Sequence, residues 1–153
     1  PLSLARTVLG SAPQRVSASA RWNIGGVDEL LAATLEYADG TIAQIECDFV
    51  TAFHQTTQIH GDAGLIELER AFTMLPDQPS AIRITRGAHF AQAETITIPP
   101  ANHYQLQIEG FGHLVDHGHG DWPEMPLADT LDNLKTIAAL YQSAHEGRPI
   151  DLA

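Results

Sequence analysis

Strict two-residue alternation on either side of an Asp-Gly pair does most to limit what this chain can become. In QRVSASARW (14–22), Val16, Ala18, Ala20 and Trp22 share one face, while Arg15, Ser17, Ser19 and Arg21 share the other. Residues 29–37 repeat the pattern, with Leu31, Ala33, Leu35 and Tyr37 on the apolar side. A side-chain period of two belongs to a strand, not a helix. Asp39-Gly40 then supplies the residue types that a tight hairpin turn needs at positive φ. The return strand is expected from Thr41 to about Phe53, with Ala43, Ile45, Cys47 and Phe49 on one face and Gln44, Glu46 and Asp48 on the other.

The pattern continues downstream. HGDAGLIEL, from His60 to Leu68, carries a second turn between short strands. Residues 71–80 hold Pro76 and Pro79 and read as loop, and AIRITR (81–86) and ETITIP (94–99) read as a pair around Gly87. The period then changes to that of a helix. Asn102 is a fitting N-cap for NHYQLQIEGFGHLVDHG, whose Tyr104, Ile108, Phe111 and Val115 form an apolar stripe. After Pro123 and Pro126, Asp129 to His145 reads as a second helix, with Leu131, Leu134, Ile137, Ala138 and Tyr141 expected to be buried. Gly147 stops it and Pro149 follows. At the other end, PLSLARTVLG reads as the back half of a helix stopped by Gly10.

The expected architecture is α+β: one open, mostly antiparallel β-sheet with helices packed on one face. A chain of 153 residues suits a single domain over 1–153. The second sheet face, with Ser17, Ser19, Thr34, Ile42, Gln44 and Val50, is mild in character. It reads equally as a solvent-exposed face or as a contact with another copy of the chain.

Charge narrows the function classes. Nineteen acids against eight bases leave a formal charge of −11, which disfavours nucleic acid and anionic membrane surfaces, both of which call for lysine and arginine. No apolar run approaches the roughly 20 residues of a membrane span, and the first residues lack the pattern of a secretory signal. The single Cys47 allows no intrachain disulfide and no cysteine-based metal site, which fits a cytoplasmic setting.

Taken in order, several segments resemble the C-terminal domain of the glucose-fructose oxidoreductase and inositol dehydrogenase (Gfo/Idh/MocA) family. They are the first helix with Arg6 and Gly10, the strand leading to Gly26-Val27-Asp28-Glu29, ADGTIAQIECDF, HGDAGLIEL, NHYQLQIEGF, and MPLADTLDNLKTIAALYQSAHEGRPIDL. The similarity lies nearest to sugar, inositol and dihydrodiol dehydrogenases. It implies a parent that interconverts an alcohol and a carbonyl on a small polyol, with NAD or NADP held by a preceding Rossmann domain through a G-x-G-x-x-G turn. This chain has no such turn: NIGGVDE and RGAHF lack the spacing and the following helix. Lys135, in DNLKTI, does not match the family's Glu-Lys-Pro lysine, and the family's acid/base is expected just upstream of Pro1.

The resemblance thus implies an excised half, with no catalytic residue and no cofactor site of its own. Such a chain is inactive alone, and its partners are the Rossmann domain, a polyol substrate and another copy of itself. On the substrate side the resemblance points to Arg21 at the end of its strand and to Arg6 on the first helix. The competing readings are an exposed Arg21 paired with Glu36 or Asp48, and Arg6 as an ordinary helix arginine. A stand-alone interaction module that uses the same open sheet is the alternative to an oxidoreductase half.

Other residues carry less. His113, His117 and His119, with Asp116 and Asp121, crowd HLVDHGHGD, but imidazoles at a helix C-terminus are accounted for by the helix dipole, so no metal is assigned. Tyr104 is expected in the core. His54 and His60 carry no assigned role, and no nucleophile elbow is present.

Overall fold

A computed structural model describes residues 1–87, 92–120 and 126–152. The chain divides into two compact units, Pro1–Thr51 with Met125–Ala153, and Ala52–Glu124.

The first unit is built from α1 (Leu2–Leu9), β1 (Arg15–Trp22), β2 (Asp28–Glu36), β3 (Ile42–Asp48), α3 (Leu127–Glu146) and β8 (Ile150–Asp151). Its four-stranded sheet has the order β3-β2-β1-β8 with antiparallel pairs. The expected hairpin is present: Gly40 has φ 85, and the Asp39 carboxylate accepts from the Thr41 N–H at 2.9 Å. Register stacks Val16, Leu35 and Ala43 in one row and Ala18, Ala33 and Ile45 in the next. Leu2, Val16, Leu31, Ala33, Leu35, Tyr37, Ala139, Leu140 and Ile150 form the core. β8 is only two residues long, so β1 would present an unpaired N–H beyond it. The buried Ser143 hydroxyl covers this edge: it accepts from the Ala18 N–H at 3.0 Å and donates to the Arg148 carbonyl at 2.7 Å.

The second unit holds β4 (Thr56–Gly61), β5 (Gly64–Glu69), β6 (Ser80–Arg86), β7 (Ala93–Ile98) and α2 (His103–His117). Its sheet runs β4-β5-β6-β7, again antiparallel. Gly64 is required at the β4–β5 turn: a Cβ there would lie 2.1 Å from the Thr85 carbonyl oxygen. The expected caps are in place: Asn102 accepts from the N–H groups of Tyr104 and Gln105, and Gly10 and Gly147 close α1 and α3 in the left-handed region. Gly118 closes α2 in the same way.

The α+β class and the open antiparallel character hold, with four corrections. The strands form two four-stranded sheets instead of one. The third strand ends at Asp48, not near Phe53, because the Asp48 carboxylate accepts from the Val50 and Thr51 N–H groups and the Thr51 hydroxyl, which turns the chain. The buried side of α3 is Thr136, Ala139, Leu140 and Ser143, whereas Leu131, Leu134 and Ile137 are exposed. The sheet face beneath α3 carries the alanines Ala18, Ala20 and Ala33, and the helix turns its smaller side chains toward it. The α2 stripe of Tyr104, Ile108, Phe111 and Val115 is likewise exposed, so Tyr104 is not a core residue. Asp121 and Pro123 lie outside the described residues.

Candidate functional site

One end of the first sheet gathers most of its polar chemistry. β1 and β2 are joined by a turn that Asn23 holds. Its N–H donates to the Val27 carbonyl at 2.8 Å, and its side-chain oxygen accepts from the N–H groups of Gly25 and Val27 at 2.8 and 3.0 Å. Gly26, at φ 77, completes it. This turn sets Arg21 and Asp28 at the mouth of the hairpin, next to a register shift between Arg21 and Trp22.

Arg21 keeps 59% of its side chain exposed, and its Nε lies 3.4 Å from Glu29 Oε2. The acid beside it is therefore Glu29, not Glu36. Pairing register places Arg21, Leu30 and Asp48 in one row across the sheet. The hydroxyl and N–H of Thr51 hold the Asp48 carboxyl below its ordinary range, and the Arg21 charge adds a little. The result is an exposed guanidinium beside the Glu29 carboxylate, with the Asp48 carboxylate two strands away in the same row, a set of donors and acceptors able to bond hydroxyl groups.

The other face of the same end carries a ring cluster. Trp22 stacks on His145 with ring centroids 4.3 Å apart and planes 9° from parallel, and Tyr141 lies 5.8 Å from it. The Tyr141 hydroxyl donates to Asp28 Oδ1 at 2.8 Å, and that bond, then burial and the carboxylate charge, pushes the phenol above its ordinary range. Sequence reasoning missed this cluster. Its only local signal is Tyr141 and His145 one helical turn apart, and Trp22 is far away in sequence. Burial pushes the Cys47 thiol up, and the nearby acids Asp28, Asp48 and Glu46 add to this, which keeps it a poor nucleophile at neutral pH.

Arg6 has a different setting. It is buried, with Nη2 2.7 Å from Asp129 Oδ1 and 3.8 Å from Asp132 Oδ2, while Nη1 donates to the Asp129 carbonyl at 2.8 Å. These bonds tie α1 to the first turn of α3. In the second unit, His113 and His117 stack at 4.1 Å, with His119 at 6.1 and 6.5 Å from them. Among the described residues, no three His, Cys, Asp or Glu side chains converge to hold a metal. No described helix is long and apolar enough to cross a membrane.

Comparison with known proteins places this architecture. Residues 1–67 match the GFO/IDH/MocA C-terminal domain family. The chain is 30% identical over 152 residues to D-xylose 1-dehydrogenase (NADP(+)) 2 of Haloferax volcanii, covering 99% of this chain and 45% of that protein. It is also 30% identical over 150 residues to an uncharacterized oxidoreductase of Rhizobium meliloti, covering 96% of this chain and 44% of that protein. The chain therefore spans less than half the length of these curated relatives. Its fold superposes with a TM-score of 0.80, at 23% identity, on a 3-ketoreductase from Actinomadura kijaniata in complex with NADP and TDP-benzene, over 94% of this chain and 43% of that one. With sequence order, sheet topology and both sets of matches in agreement, the chain is a C-terminal domain of the GFO/IDH/MocA family.

Proposed function

We propose that this chain is the substrate-side and self-association domain of an NAD(P)-dependent oxidoreductase that acts on a sugar, inositol or related polyol. The observation that carries this reading is the 30% identity with D-xylose 1-dehydrogenase (NADP(+)) 2 along 99% of the chain. In this reading the dinucleotide belongs to a separate Rossmann domain, which supplies the nicotinamide that exchanges hydride. This chain supplies Arg21, whose exposed guanidinium donates to a substrate hydroxyl, with Glu29 fixing its direction. Arg6 contributes indirectly, by holding α1 against α3. The mild sheet face with Ser17, Thr34, Ile42 and Gln44 meets a second copy of the chain.

The test uses the complete gene product. Nicotinamide absorbance is followed with NADP and with NAD against a panel of aldoses and inositols. Turnover of at least one polyol is expected, with Arg21→Gln raising KM by roughly tenfold and leaving kcat nearly unchanged. Lack of turnover on every polyol with either cofactor would overturn the proposal, and so would NADPH binding by residues 1–153 alone at micromolar affinity. The self-association part rests on mass in solution: Ile42→Asp should yield monomers, and an unchanged oligomer would exclude this face.

A further inference from the structure

Asp39 is the one aspartate in this chain that is followed by glycine. Such a pair carries a chemistry of its own. The Gly40 backbone nitrogen can attack the carboxyl carbon of the Asp39 side chain, because the ring that closes is small and unstrained and glycine has no side chain to hinder it. A new N–C bond forms, and the carboxyl hydroxyl leaves as water with the Gly40 N–H proton. Water then opens the cyclic imide at either of its carbonyls. One opening restores aspartate. The other routes the main chain through the Asp39 side chain, as isoaspartate, and lengthens it by one atom.

The hairpin engages each group that this step needs. The Gly40 N–H donates to the Tyr37 carbonyl at 3.0 Å. The Asp39 carboxylate accepts from the Thr41 N–H at 2.9 Å, and that bond, followed by the Thr41 hydroxyl, holds the carboxyl below its ordinary range. An ionised carboxylate has no hydroxyl to release as water, so it is the wrong form for ring closure. The Tyr37 N–H donates to the Thr41 carbonyl at 2.9 Å and closes the loop around Ala38, Asp39 and Gly40, with Gly40 held at φ 85. Tyr37 and Leu35, at the foot of that loop, belong to the core, so the turn opens only with the best-covered part of the first unit. We infer that Asp39-Gly40 is a latent isomerisation site that the folded hairpin holds inactive and that converts when the hairpin opens. The added main-chain atom then lengthens the loop between Tyr37 and Thr41. The inference does not depend on the oxidoreductase reading.

Peptide mapping of the complete gene product, aged at neutral pH, provides the test. Isoaspartate at residue 39 is read as a shifted elution of the peptide at unchanged mass. It should accumulate in guanidinium chloride, and about tenfold more slowly or slower still in the folded protein, the scale of one hydrogen bond. Leu35→Ala loosens the core beneath the turn, so its rate without denaturant should move toward the rate in guanidinium chloride. Asp39→Glu would need a larger ring and should give no product, which ties the signal to this residue. Equal rates in folded and denatured protein would overturn the protection. No isoaspartate even in denaturant would overturn the site itself. An unchanged rate in Leu35→Ala would overturn the dependence on hairpin opening.

Discussion

The two sheets have the same strand count and the same antiparallel ladders, but they differ in what covers them. In the first unit Val16 and Leu35 are wholly buried, and α1 and α3 lie over the face they share. In the second unit Leu65, Ile66, Leu68, Ile82 and Ile84 are only half-buried, and α2 buries none of its residues. Every described residue in the buried class belongs to the first unit. Backbone pairing and side-chain burial are thus separate achievements. Hydrogen bonds define both sheets, but apolar burial, at about 25 cal/mol per Å², is concentrated in one.

The sharpest test of this contrast is a matched pair of truncations. Leu35→Ala should cost about 2–5 kcal/mol, because it opens a cavity in a closed core. Ile84→Ala, on a half-buried face, should cost roughly 1 kcal/mol. Denaturant unfolding of both variants measures the difference, and equal costs would mean that the second sheet is as well covered as the first. Next in size is Gly64→Ala. The added Cβ would meet the Thr85 carbonyl at 2.1 Å, so β5 and β6 must separate locally, at about 1–3 kcal/mol. Hydrogen exchange should show lost protection in β5 and β6 with the first unit unchanged.

The smallest effect concerns the ring cluster. Tyr141 titrates above its ordinary value, chiefly because its hydroxyl donates to Asp28. Its contribution is therefore fully present below the ordinary tyrosine range, near pH 10, and is lost as pH rises through the folded value. Tyr141→Phe should cost under about 1 kcal/mol at neutral pH, and the gap to the unmodified chain should close in alkali. A gap that persists unchanged into alkali would place the cost in packing instead.

Local chemistry was legible wherever one short segment carries its own reason. Asp39-Gly40, Asn102, Gly10 and Gly147 act through bonds to residues a few positions away, and each sits where its turn or cap was expected. The register has the expected period of two, but the loop holds three residues, Ala38–Gly40, with Gly40 alone at positive φ, between the bonded pair Tyr37 and Thr41. Arg21 was located, but its acid partner was not: register sets Glu36 opposite Arg15 at the other end of the strand, and Glu29, beside Leu30, is the acid that lies next to Arg21.

Choices between equally good local surfaces were not legible. α3 carries both a leucine-rich stripe and a small-residue stripe, and periodicity alone favours the leucines. The structure buries Thr136, Ala139, Leu140 and Ser143, where two hydroxyls find carbonyl partners and the helix meets an alanine-lined sheet. The Trp22–His145 stack and the Gln55–Thr73 bond join residues that no local pattern connects.

By itself, the sequence determined the strands, the turns, the caps and the α+β family, because those depend on interactions within a few residues. Only the tertiary structure decided which helix faces are covered, that the strands split into two sheets at Asp48, and where Arg6 directs its charge. Those outcomes depend on which distant surfaces meet, and a surface is chosen by close packing and satisfied polar groups rather than by its own hydrophobicity.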